Sequence, residues 1–297
     1  MNPLNPLNPL NPPNPPNPLD PLKSLNPLAV GLLNFRDAAL AADPGGTRVR
    51  RGVLYRSAQP FPAADSHTAD GLRAADVRTV IDLRSAEERR PEDWQALRGA
   101  GIEIVEAPLE AVGEAVAGEL AALRTDADLG RFYASLAEAA PDALVAAVGA
   151  AARPGAALVH CAAGKDRTGL LTALLLELLG VPDESIADDY VRTADELPLI
   201  LAALAERVGA GPLNRLPGGG TQEGVGTPGG GAGMPDGPVI PAPLLAAPRV
   251  AILTFLRLTG ERHGGAGAFL RGCGVLDGVI EEFRAKAGRA PAATPSR

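Results

Sequence analysis

His160-Cys161-Ala162-Ala163-Gly164-Lys165-Asp166-Arg167-Thr168-Gly169 is the stretch around which the rest of this chain is read. An apolar run, Ala156-Ala157-Leu158-Val159, leads into it. A leucine-rich helical pattern, Leu170 to Leu179, leaves it. Strand, tight loop of small residues and helix N-terminus together form an anion site, because loop N–H groups converge and the helix dipole favours negative charge. The same donors favour the thiolate of Cys161 at the base of the loop. Arg167 brings a planar fork matched to two phosphate oxygens. The pair reads as a thiolate nucleophile aimed at a phosphorus atom that the loop holds in place. Ala162, Ala163, Gly164 and Lys165 are the expected binding residues. Thr168 is placed either to bond the Cys161 sulfur or to cap the helix expected to start near it. His160 is expected to steady the loop through its ring N–H.

Outward from this loop the pattern is α/β. Val77–Leu83 and Ile102–Val105 read as strands, with a helix over Glu87–Arg98 opened by Pro91-Glu92-Asp93. Leu129–Ala139 and Asp142–Ala152 read as helices, the second with Pro141 at its start. Ala156–His160 is the expected central strand. Strands separated by helices predict a mostly parallel sheet with helices on both faces, whose ligands sit at the carboxyl ends of the strands. Arg249–Glu261, Ala266–Gly272 and Asp277–Ala287 read as helices closing the chain.

The loop resembles the CX5R signature of cysteine-dependent phosphatases. In its fuller form, HCxxGKDRTG, it resembles a bacterial tyrosine and dual-specificity phosphatase family that also acts on phosphoinositides. Asn34-Phe35-Arg36-Asp37, the strand leading to Tyr55-Arg56-Ser57, and Thr79-Val80-Ile81-Asp82-Leu83-Arg84-Ser85 with Glu87 resemble further segments of that family, in the same order. So do Gly264-Gly265 through Phe269-Leu270 and Gly274-Val275. The resemblance covers residues 34–210 and 248–286. It implies a protein-tyrosine-phosphatase-like fold and hydrolysis of phosphomonoesters through a phosphorylated Cys161, without cofactor or metal. It points to Asp166 as the acid that protonates the leaving oxygen, and it associates Lys165 with phosphoinositide head groups. Asp82, at a strand end, is the second candidate for the acid.

Composition sets bounds on the rest. Of 297 residues, 46% are hydrophobic, enough for one large α/β domain or two small ones. A net charge of −7 disfavours nucleic acid as a partner. The two cysteines, Cys161 and Cys273, make no disulfide framework, and bridging them would block the nucleophile. His67, His160 and His263 are too far apart in sequence to suggest a metal site. The N-terminus shows no basic region followed by an apolar core, and no apolar run has transmembrane length. A cytoplasmic setting is expected, with export independent of a signal peptide left open. Oligomeric state is not legible.

Residues 1–28 are an Asn-Pro-Leu and Asn-Pro-Pro repeat, expected to be disordered or polyproline-II. The catalytic domain is placed at 29–290, with a Gly/Pro-rich insertion at 211–248 and a free tail at 291–297. In the resembling family that part of the chain lies near helices that cover the site, so the insertion is expected to lengthen or loosen the cover. Arg84, Glu87, Glu88, Arg89 and Arg90 read as a mostly solvated charge run. Tyr55 and Arg56 are expected either to line the pocket or to pack beneath it.

Two rival readings bear on the loop. A nucleotide P-loop would need glycine at Val159 and Ser or Thr at Asp166, so it fails. Arsenate reductases and low-molecular-weight phosphatases carry CX5R near the chain start, unlike Cys161. A catalytically inactive phosphate-binding module remains the alternative to a phosphatase. The sequence gives no preference among phosphotyrosine, phosphoserine and phosphoinositide substrates.

Overall fold

The computed structural model describes residues 30–110, 114–208 and 241–289. The repeat at 1–28, the Gly/Pro-rich stretch as far as residue 240 and the tail at 291–297 lie outside these residues. In chain order the elements are β1 (Arg36–Asp37), α1 (Ala39–Ala42), β2 (Leu54–Ser57), α2 (Ser66–Ala74), β3 (Val77–Asp82), α3 (Gln95–Gly99), β4 (Glu103–Glu106), α4 (Glu114–Ala121), α5 (Asp126–Glu138), α6 (Pro141–Ala152), β5 (Ala156–His160), α7 (Asp166–Leu178), α8 (Asp183–Val191), α9 (Leu197–Val208), α10 (Arg249–His263), α11 (Ala266–Gly272) and α12 (Asp277–Ala287). Short 3-10 turns lie at Arg192–Asp195 and Ala242–Leu245.

The sheet runs β1-β2-β5-β3-β4. Only the β1–β2 edge pairs antiparallel; the other three pairings are parallel. β5 is central, and all five of its residues are buried, which is why it reads as an unbroken apolar run. Its side chains alternate between two cores. Ala157 and Val159 join the larger one, with Leu144, Leu174, Phe255 and Phe283 from helices α6, α7, α10 and α12. Ala156 and Leu158 join the smaller one, with Leu72 of α2 and Leu97 of α3. Burying Leu158 and Val159 contributes about 1.5–3 kcal/mol each. Helices therefore cover both faces of a mostly parallel sheet, as the sequence predicts.

The helix expected over Glu87–Arg98 is shorter. Residues 86–94 form turns and only Gln95–Gly99 is helical. The segment is closed as separate turns, with Arg89 N–H donating to Ala86 O at 3.3 Å and Asp93 N–H to Arg90 O at 3.1 Å, and with Glu88 Oε2 accepting from Ser85 N–H at 2.8 Å and Asp93 Oδ2 from Arg90 N–H at 3.0 Å. Helix α7 starts at Asp166, earlier than the Thr168 start expected. Ten of its 13 residues are buried, so it is a core helix, apolar nearly all round. The end of the Gly/Pro-rich stretch is packed: Pro243 is buried in the turn at Ala242–Leu245. Among the described residues no single helix is long and apolar enough to cross a membrane.

Candidate active site

β2, β5 and β3 end side by side, Ser57 and Asp82 each in register with His160. Cys161 follows at once and is buried. The loop after it is held from outside by its carbonyls. Gln59 N–H donates to Ala162 O at 3.1 Å. Asn34 Nδ2 donates to Ala163 O at 3.3 Å and to Gly164 O at 3.0 Å. Arg56 Nη2 donates to Gly164 O at 2.8 Å and reaches Lys165 O at 3.5 Å. In a planar trans peptide the N–H points opposite to the C=O. The N–H groups of Ala163, Gly164 and Lys165 therefore face away from this scaffold, and among the described residues they have no acceptor. Such a set of unpaired donors at a helix N-terminus is an anion cradle. Gly164 makes the close approach possible: its φ is +66°, and a Cβ there would lie 2.2 Å from Ser57 O.

Asp189 of α8 balances the charge beneath the loop. It accepts from Arg56 Nη1 at 2.5 Å and from Arg36 Nε at 2.8 Å. Burial pulls its carboxyl upward, but Arg36 and Arg56 outweigh that and hold it below the usual range. Burial brings the Arg36 guanidinium down to about 10. Arg56 thus packs below the pocket, as does Tyr55, whose ring stacks on Phe35.

Arg167 is gripped by Glu88: Nη1 and Nη2 each donate to one carboxylate oxygen at 2.6 Å, and Nη1 also reaches Leu83 O at 3.3 Å. This corrects the reading of Glu88 as part of a solvated run. Burial pulls the guanidinium down; Glu88 and charge at Cys161 outweigh it and push it up. The same pair holds the Glu88 carboxyl low against its own burial. Arg167 is therefore a fixed cation oriented by a bidentate partner.

His160 lies between Cys161 and Asp82. Its Nδ1 is 3.2 Å from Cys161 O, its Nε2 is 3.4 Å from Asp82 Oδ2, and its ring meets Trp94 edge-on. Asp82 also takes the Arg84 fork, Nε at 2.9 Å and Nη2 at 2.6 Å. Arg84 Nη1 continues to Asp93 Oδ2 at 2.8 Å, and Arg207 Nη2 of α9 donates to both Asp93 oxygens at 2.7 Å. Burial would raise the Asp82 carboxyl, but His160 and Arg84 outweigh it and hold it far below the carboxylate range. A buried carboxylate so committed lacks the proton that an acid must give, which is the physical objection to the second acid candidate.

Asp166 opens α7 with its side chain 26% exposed. Its Oδ1 accepts from the phenol of Tyr133 at 2.5 Å and lies 3.3 Å from Lys165 Nζ. Lys165 is not a solvated rim charge. It is 1% exposed, and Nζ donates to Leu244 O and Ala246 O, both at 2.6 Å. Thr168 neither caps the helix nor bonds a described acceptor: Lys165 is the N-cap position, and Thr168 Oγ1 is buried without a partner among the described residues. Cys273, half-buried, is a free thiol away from this constellation, and burial pushes it up. Tyr133, Tyr190 and Asp189 carried no sign of a site role in the sequence, because their partners lie far along the chain. Arg56 and Asn34 stood within motifs whose purpose only the loop contacts reveal.

The sequence model of the Tyrosine phosphatase family matches residues 28–287. A candidate tyrosine-protein phosphatase of Cupriavidus necator is 33% identical over 166 residues, covering 54% of this chain and 60% of that protein. The triple specificity protein phosphatase PtpB of Mycobacterium tuberculosis is 30% identical over 213 residues, 60% of this chain and 72% of that protein. A tyrosine-protein phosphatase of Nostoc commune is 33% identical over 141 residues, 48% of this chain and 42% of its own length. Among solved structures, P. aeruginosa TpbA aligns over 56% of this chain and 91% of its own at 20% identity, with a TM-score of 0.28. The matched region thus spans 60% of the first of these relatives and less than half of the third. Loop, sheet order and the match from 28 to 287 agree: the chain belongs to the tyrosine phosphatase family.

Proposed function

We propose that this chain is a cysteine-dependent protein-tyrosine phosphatase that hydrolyses phosphomonoesters in two steps. The observation that carries the reading is the loop itself, its carbonyls anchored outward, its N–H groups without an acceptor among the described residues, and Arg167 fixed at its far end. The loop donors and Arg167 hold the phosphoryl oxygens and stabilise charge spread over them in the transition state. The Cys161 thiolate forms the S–P bond as the P–O bond to the leaving group breaks. Asp166 gives its proton to the leaving oxygen. Water then attacks phosphorus, Asp166 takes back a proton, inorganic phosphate leaves and the thiolate is regenerated. Asp82 is assigned a supporting role, holding Arg84 in the charged network at the strand end beside His160.

Phosphotyrosine is the favoured substrate class, with phosphoinositides second. Lys165, the residue associated with lipid head groups, has its ammonium committed to two carbonyls, so head-group recognition through it requires those bonds to open. The test is turnover of a phosphotyrosine peptide, p-nitrophenyl phosphate and a phosphoinositide in parallel, with Cys161→Ser as control. Hydrolysis of the first two, lost in the variant, is expected. Tight phosphate binding without turnover would instead identify a binding module.

A further inference from the structure

Two buried tyrosines stand behind Asp166. Tyr133 of α5 and Tyr190 of α8 are 0% and 1% exposed. Their hydroxyls are 2.8 Å apart, and Tyr133 donates to Asp166 Oδ1. We propose that Tyr133, backed by Tyr190, is a positioning residue that keeps the transferable proton of Asp166 on Oδ2, free for the leaving group. The proposal rests on the reading of Asp166 as the acid.

The number of hydroxyl hydrogens sets the direction of the chain. A phenol has one O–H to donate, and an ionised carboxylate only accepts. With Tyr133 donating to Oδ1, Tyr190 must donate to Tyr133, and every hydroxyl hydrogen is used. A proton on Oδ1 would either leave Tyr133 bonding a hydroxyl oxygen, a poorer acceptor, or reverse the chain, with Asp166 donating to Tyr133, Tyr133 to Tyr190, and the Tyr190 hydrogen without an acceptor among the described residues. A buried donor left unpaired is disfavoured by about tenfold or more in population. Protonation on Oδ2 leaves the chain intact. Lys165 Nζ, 3.3 Å from Oδ1, adds to the same bias. Burial, then the charge of Asp166, push the Tyr133 phenol well above its ordinary range, so it remains a donor at any working pH. Gly169 makes room for the device, since a Cβ there would lie 2.8 and 2.9 Å from Tyr190 ring carbons.

The test is a leaving-group comparison in Tyr133→Phe, Asp166→Asn and the double variant. Tyr133→Phe is expected to lower kcat/KM, which reports the steps through departure of the leaving group, by about tenfold for a phosphotyrosine peptide. It should leave kcat/KM for an activated aryl phosphate within about twofold, because that phenolate leaves unaided. In the Asp166→Asn background, Tyr133→Phe should add nothing. Equal losses on both substrates, or a full Tyr133→Phe effect in the Asp166→Asn background, would overturn the proposal. If Asp166→Asn shows the leaving-group pattern and Tyr133→Phe does not, the positioning role alone falls. If Asp166→Asn shows none, the acid assignment falls and the proposal with it. Should Tyr133→Phe not fold, Tyr190→Phe carries the test: it leaves Tyr133 with one hydrogen and Oδ1 as its acceptor among the described residues, so kinetics within about twofold on both substrates are expected, and a loss of about tenfold or more on the phosphotyrosine peptide alone would overturn the hydrogen count.

Discussion

Replacing Gly164 by alanine probes the loop at the point where it leans on β2. The new Cβ would lie 2.2 Å from Ser57 O, 2.4 Å from Ser57 C and 2.6 Å from Ala58 N, all backbone atoms that cannot rotate aside. Contacts of this kind need at least 3.0 Å, so loop and strand end must part. The displacement is on the order of 1 Å, and in a preorganised site that costs about 100-fold in rate. The φ of +66° adds backbone strain of about 1–2 kcal/mol for a residue with a Cβ. The assay is kcat/KM on an aryl phosphate, with vanadate affinity as a measure of the cradle without chemistry and a thermal melt as a check on folding. Gly164→Ala is expected to remain folded, lose about 100-fold in kcat/KM and bind vanadate more weakly. Gly260→Ala is the control: a Cβ at this α10 position meets nothing within 4 Å, so activity should not change. A folded Gly164→Ala enzyme within threefold of wild type, roughly 0.6 kcal/mol by the rate relation, would refute the claim that close packing on Ser57 sets the loop.

Three further outcomes follow from the same contacts. Glu88→Gln keeps an acceptor for Arg167 but removes its charge partner; kcat/KM should fall about tenfold, and unchanged kinetics would show that Arg167 needs no orienting carboxylate. Burial pushes the Asp37 carboxyl up to about 6 from an ordinary 3.8, although Ala39 and Gly52 N–H groups oppose the shift. Between those values the folded state holds a proton that the unfolded state has lost, so this group's stabilising contribution is full below pH 3.8 and lost as pH rises through about 6. The loss is at most about 3 kcal/mol. Thermal melts should therefore show a fall in stability across that window that Asp37→Asn flattens; identical pH profiles for the two proteins would contradict it. Activity should survive EDTA and be lost to vanadate and to thiol alkylation, whereas inhibition by EDTA that a divalent ion reverses would rule out the cysteine mechanism.

The parts of this protein visible in the sequence are those whose partners are near in the chain. Ala156–His160, the loop and the apolar helix after it are contiguous, so their chemistry and their place at a strand end could be read together. The edge strand β1 is two residues long, too short for any periodicity to register. Neither the pairing of Glu88 nor the burial of Lys165 is legible in the sequence, because both partners are distant: Arg167 lies 79 residues from Glu88, and the Leu244 carbonyl 79 residues from Lys165. The shortened helix before Gln95 has a related origin, since Glu88 and Asp93 bond Arg167 and Arg207, 79 and 114 residues away. Asp189 and the tyrosine pair act across helices α5, α7 and α8. No local pattern marks a phenol that ends beside a carboxylate 33 residues away.

The central claim is that phosphate passes through Cys161. Rapid acid quench during turnover of a phosphotyrosine peptide, followed by mass spectrometry of the peptide spanning His160–Arg167, tests it directly. One phosphoryl group is expected on Cys161, present during turnover, absent without substrate and absent in Cys161→Ser, which should also lack activity. Sustained turnover by Cys161→Ser, or a phosphoryl group on any other residue that forms and decays at the rate of turnover, would contradict it.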